Sequence, residues 1–172
     1  QYVLDLDHTK MNTAKPPLHT TVVHGGDNVM RARSAAVELA MKTAQSKSID
    51  ILEAKTDLVM IFSWAHTMGK DKPSEARKMY DVFAKRLKVL DAGKKINGSI
   101  SLPDDTSGLQ TWKIRVWRRN VEIHLEEASV NTEDNAEKSM QIIHQLVQNK
   151  GYEKVLISPL SSDFHTKRIR QA

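Results

Sequence analysis

Residues 112–127 read WKIRVWRRNVEIHLEE. The first eight hold two tryptophans and four cations, and acids follow at once. A turn at Arg119-Asn120 would fold this stretch into a β-hairpin, because Asn tolerates positive φ. Arg118 then faces Val121, Trp117 faces Glu122, Val116 faces Ile123 and Arg115 faces His124. Side chains alternate across a strand. One face becomes Trp112, Ile114, Val116, Val121, Ile123 and Leu125, which must pack on a core. The other shows Lys113, Arg115, Trp117 and Arg119 beside Glu122, His124 and Glu126.

That second face supports two readings. Trp117 can serve as a stacking platform while Lys113, Arg115, Arg118 and Arg119 hold phosphates, as on nucleic-acid-binding sheets. Alternatively it is a solvated face on which Lys113 pairs with Glu126, a contact worth only a few tenths of a kcal/mol.

The 172 residues suffice for one domain with a real core. With 40% hydrophobic and 27% charged residues the chain falls in the globular class. Its net charge of +5 weakly favours a polyanionic partner such as DNA. It contains no cysteine, which excludes disulfides and thiolate zinc sites and fits a reducing, cytoplasmic compartment. No apolar run approaches the roughly eighteen residues of a membrane span. The chain begins at Gln1 and reads as a domain cut from a longer protein or as a processed chain.

Patterning predicts a strand over 18–24, then a turn at 25–28. A helix over 29–46 should follow, buried along Ala32, Ala36, Val37, Leu39, Ala40 and Ala44. A short strand is expected over 49–52. Asp57 can cap a helix through LVMIFSWAHTM, stopped by Gly69, with Trp64 in the core. Another helix should begin near Pro73, bury Ala76, Met79, Tyr80, Phe83, Leu87 and Leu90, and end at Gly93. After the hairpin come a helix over 133–149, a stop at Gly151, a strand over 154–158 and a basic helical tail. Moving the chain against itself by 106 places brings Asn28 onto Asp134, and Ile49 and Ile51 onto Val155 and Ile157. That suggests an internal repeat of 18–68 and 112–172 within one α+β domain, a mixed sheet with amphipathic helices on one side.

Few motifs carry chemistry. YVLDLDHT at 2–9 resembles the first motif of haloacid-dehalogenase-type phosphatases, which implies Asp5 as nucleophile and Asp7 as acid/base with magnesium between carboxylates. Thr9, Ser63, Asp104 and Asp105 would complete that match, although a stub strand and the Pro in INGSISLP depart from it. The seven histidines show no helical metal spacing. Gly25-Gly26 lacks both phosphate-loop patterns, and no serine sits in a nucleophile elbow.

The segment from KIRVWRRNVEIHLEE through NTEDNAEKSMQIIHQLVQNKG to YEKVLISPLSSDFHTKRIR resembles an accessory domain of plasmid conjugative relaxases and other large polyvalent proteins of mobile elements. The matching parts are Asp134 as an acidic N-cap, Gly151, Val155, Ser161, Ser162, Phe164 and Arg168. The resemblance implies a non-catalytic module, without cofactor or metal, that contacts DNA or partner proteins in a transfer or replication complex. The contact residues expected are Lys113, Arg115, Trp117, Arg118 and Arg119.

Overall fold

The computed structural model describes residues 2–5, 18–24, 30–45, 58–64, 74–93, 100–116, 119–129, 131–152 and 154–160. Seven strands form one sheet: β1 (Tyr2–Asp5), β2 (Leu18–His24), β3 (Leu58–Ser63), β4 (Ile100–Ser101), β5 (Thr111–Val116), β6 (Arg119–Glu126) and β7 (Lys154–Leu160). The helices are α1 (Met30–Gln45), α2 (Glu75–Ala92) and α3 (Thr132–Lys150). The strand order is β1-β7-β2-β3-β6-β5-β4. β7, β2, β3 and β6 run parallel, whereas β1 and β5 are antiparallel to their inner neighbours and β4 is antiparallel to β5. The α+β mixed sheet with amphipathic helices packed on it is thus the fold.

The helices cover both faces of the sheet, not one. One core joins α1 and α2 to Val23, Met60, Phe62, Trp112, Ile114, Val116, Val121, Ile123 and Leu125. The other joins Ile143 and Leu146 of α3 to Leu18, Val22, Val59, Ile61, Val155 and Ile157. Connection handedness explains the split. Parallel crossovers share one hand. The path β2 to β3 to β6 steps one way across the sheet, and β6 to β7 steps back over two strands. A single hand therefore puts α3 opposite α1 and α2.

β3 corrects the helix expected after Asp57. All six of its residues are buried. A central parallel strand covered on both faces has no wet side, so its sequence runs continuously apolar instead of alternating. A run that short carries no period to separate strand from helix. Trp64 follows it, half-buried against the α1–α2 core. The expected strand over 49–52, Gly69 and the basic tail lie outside the described residues.

α2 buries the six residues its spacing predicts. Ser74 caps it, accepting from the Arg77 N–H at 3.1 Å, and Gly93 ends it. Phe62 and Phe83 meet at a tilt with ring centroids 5.4 Å apart, and Tyr80 meets Trp112 edge-on at 4.7 Å. Each such pair adds about 0.5–1.5 kcal/mol beyond burial. On α1 the buried side is Ala32, Ala35, Ala36, Leu39 and Ala40, while Val37 sits half-exposed on the flank. α3 is capped by Asn131, whose side chain accepts from the Asp134 N–H at 2.8 Å. Asp134 therefore lies inside the first turn instead of at the N-cap. Gly151 closes the helix in the left-handed region, φ 70°.

Candidate functional site

The hairpin forms with the expected inward face, but its register differs. Val116 pairs with Arg119, Ile114 with Val121, Trp112 with Ile123 and Lys113 with Glu122. The described pairing therefore runs up to Val116 and Arg119, so Arg119 and Asn120 belong to β6 and not to the turn. Relative to the expected pairing, the partner of each β5 residue moves by four. An even slip leaves side chains on the same face, so Trp112, Ile114, Val116, Val121, Ile123 and Leu125 are all buried as expected.

The slip does move Arg119. As the first residue of β6, opposite Val116, it points to the α1–α2 side and is half-buried. It does not join Lys113 and Arg115. Those two are exposed on the other face with Thr111 between strand neighbours, in strict alternation along β5. Trp117 and Arg118 lie outside the described residues.

α3 packs over β2, β3 and β6. The β5 half of that face is open, and exposed Ser101 and Asn120 flank Arg115 there. Lys113 stands opposite Glu122, not Glu126. Glu122 is already engaged: Lys150 Nζ lies 2.5 Å from its Oε2, and His124 Nε2 lies 2.9 Å from its Oε1. Burial weighs against the charged form of Glu122, but the Lys150 ammonium and His124 outweigh it and hold the carboxyl below its ordinary range. Burial likewise pushes His124 below the ordinary imidazole value, although Glu122 pulls it upward. Its imidazole is therefore neutral at pH 7. The open patch then carries Lys113, Arg115 and Lys150 against Glu122, a local charge of +2.

A second polar group lies where the parallel strands end. His24, Ser63 and Glu126 are the last residues of β2, β3 and β6, and they are register partners in one row. All three are buried, and Ser63 and Glu126 meet the start of α3. Ser63 Oγ is 2.6 Å from Glu126 Oε2 and 2.7 Å from the Asn135 side-chain amide. Glu126 Oε1 accepts from the backbone N–H groups of Ala128 and Ser129, both at 2.9 Å. Ser129 Oγ also meets the Asn135 amide. Ser63 has one proton, and Glu126 takes it. Proton counting therefore turns the Asn135 NH2 toward the two hydroxyls, since amide ends are assigned by their partners.

This row sits at the switch point of the sheet, where the segment after β3 leads to α2 on one face and that after β6 leads to α3 on the other. Carboxyl ends at such a point are where open sheets bind ligands. Here, however, both Glu126 oxygens are spent on Ser63 and on the β6–α3 turn. The row fastens that turn. A cavity of ≈ 390 Å³ opens beside it, lined by Gln110, Glu127, Lys138, Gln141 and Gln145 among others. The sequence carries a partial signal for the row: β2 and β3 each close on a polar residue after apolar ones.

The phosphatase residues do not converge. Asp5 pairs with Lys154 at the amino end of β7. Leu58 lies level with Leu156 through His19. Ser63 is thus five residues beyond Leu58 and seven beyond the level of Asp5, roughly 23 Å along the strand direction. Asp104 and Asp105 are exposed in the β4–β5 loop. The side-chain and backbone hydrogen bonds from Ser107 hold Asp105 below its ordinary value. Asp7, Ser161, Ser162, Phe164 and Arg168 lie outside the described residues. Among the described residues, no cluster of three or more His, Asp or Glu could hold a metal ion, and no helix is long and apolar enough to cross a membrane.

No protein-family model, curated protein or solved structure matches the chain.

Proposed function

We propose that this chain is a non-catalytic nucleic-acid-binding module that takes single-stranded DNA on the open face of β5. One observation carries the reading: Lys113 and Arg115 project side by side from the half of the sheet that α3 leaves bare. A strand with alternating cations offers phosphates a track at strand spacing, about 6.6 Å between successive side chains of one face. Lys150 extends the positive field and neutralises Glu122, the one acid directly across from Lys113. Trp117 follows in sequence and would supply a stacking ring. The likeness to relaxase accessory domains agrees with a role inside a larger DNA-processing protein of a mobile element, in the cytoplasm.

The test is fluorescence anisotropy with a labelled oligothymidylate across a salt series. Binding should weaken as salt rises, because each phosphate contact releases about 0.7 counterion on single strands. Lys113→Glu/Arg115→Glu should abolish it while leaving the circular dichroism spectrum unchanged. A double variant that binds like the parent chain removes this face from consideration. The phosphatase alternative asks Asp5 to meet Ser63, Asp104 and Asp105. The sheet holds Asp5 and Ser63 at opposite ends, so that reading has less support. Magnesium-dependent release of phosphate from a generic ester, lost in Asp5→Asn, would reinstate it.

A further inference from the structure

α1 carries two apolar stripes, and the sheet uses only one. Ala32, Ala35, Ala36, Leu39 and Ala40 face inward and are buried. Met30, Val37 and Met41 lie on the flank, at positions i, i+7 and i+11. Met30 is 54% exposed and Met41 56%. With Arg33, Ser34, Glu38 and Arg86 of α2 they line a groove of ≈ 630 Å³ between the two helices. Scattered exposed apolar side chains need no explanation, but a spaced row of them in one groove does.

The groove's shape and charge select one kind of occupant. From Met30 to Met41 the row runs about 16 Å, three turns of helix. A trough between two helices accepts the side-chain ridge of a third, with anchors at i, i+4 and i+7. Methionines suit such a surface because their unbranched side chains adapt to what they meet. The rim is cationic. Arg33 and Arg86 stand against Glu38. Across the layer, α1 has three cations against one acid, and α2 has five against three. These two helices therefore carry +4 while the whole chain carries +5. An apolar floor is wrong for phosphate backbone, so this surface differs in kind from the open face of β5.

We propose that the α1–α2 groove docks an acidic amphipathic helix of a partner protein, its leucine-type side chains lying along Met30, Val37 and Met41 and its carboxylates meeting Arg33 and Arg86. The inference stands independently of the nucleic-acid reading.

Two designed helical peptides test it by fluorescence polarisation on the full chain. Both present leucines at i, i+4, i+7 and i+11; one flanks them with glutamates, the other with lysines. The acidic peptide should bind roughly tenfold or more tightly than the basic one. Arg33→Glu/Arg86→Glu should reverse that preference, and Met41→Gln should weaken both without changing the thermal melt. Binding of neither peptide overturns the proposal, as does equal binding of both that ignores the arginine reversal. Sedimentation of the chain alone covers the remaining case: a dimer that Met41→Gln dissociates would assign the groove to a second copy and overturn the partner-helix proposal.

Discussion

Ser63 and Glu126 are 63 residues apart in sequence, yet they meet at the ends of neighbouring parallel strands with Oγ 2.6 Å from Oε2. Through Ala128, Ser129 and Asn135 this contact ties β3, β6 and the start of α3 into one buried unit. Glu126→Ala would strip an acceptor from three donors at once. It should cost about 2 kcal/mol or more in urea unfolding, since the donors on Ser63 and Ser129 are buried and each buried donor left without a partner loses about 1–3 kcal/mol. Ser63→Ala removes only one donor and should cost less. Equal costs for the two would show that Glu126 does not hold the turn.

His124 and Glu122 make stability depend on pH in one direction. Both have folded values below their ordinary ones. The unfolded chain therefore binds protons more readily, and folding stability is lost as pH falls. The His124 contribution is present above its ordinary value near 6.5 and declines below it; the Glu122 contribution declines in the acid range beneath that. Thermal melts from pH 8 to pH 5 should fall accordingly. Glu122→Gln removes the group that pulls His124 upward, so the imidazole should titrate lower still by NMR. An upward shift in that variant contradicts the arrangement.

Arg119 separates the observed hairpin register from the one expected of an Arg119-Asn120 turn. If phosphates lie on the open face of β5, Lys113→Ala/Arg115→Ala should flatten the slope of log affinity against log salt by about 1.4, two contacts at about 0.7 each. Arg119→Ala, on the other side of the sheet, should leave the slope where it was. A matching loss in Arg119→Ala would mean that DNA approaches over the hairpin end.

Trp112 joins the hairpin to α2. Its ring meets Tyr80 edge-on, and the Arg77 guanidinium lies 6.0 Å from its centroid. The same Arg77 donates to the backbone oxygens of Thr106 at 3.0 Å and Leu109 at 2.8 Å. Trp112→Ala should destabilise the domain by about 3–5 kcal/mol, the range for emptying a buried aromatic site. A shift below 1 kcal/mol would place the ring outside the core.

Gly151→Ala isolates a backbone effect. A Cβ there would touch nothing within 4 Å, but φ is +70°. The cost is the left-handed conformation alone, about 1 kcal/mol, and Gly151→Asn should recover part of it. Equal stability of alanine and glycine at this position would argue against the left-handed cap.

Much of the candidate site was legible in the residues. The buried face of the hairpin, the six-residue stripe of α2 and the Gly151 stop each follow from a local rule: period 2, period 3.6 and positive φ. Lys113 and Arg115 fell on the outer face for the same reason. Arg119 did not, because a turn position is chosen by small energies and a register error of one arginine is cheap in sequence terms. β3 was misread because burial on both faces erases periodicity. The row of His24, Ser63 and Glu126 was unreadable as a unit, since no local pattern states which strand ends become neighbours.

What the residues determined alone was local: which segments alternate, that Gly93 and Gly151 end helices, and that the hairpin must bury its apolar side. The tertiary structure decided what lies against what. Strand order sent α3 to the opposite face from α1 and α2, left β5 half bare, and gathered three distant polar residues into one buried row. Those outcomes depend on crossover direction and long-range pairing, and neither is encoded in the spacing of residues along a single element.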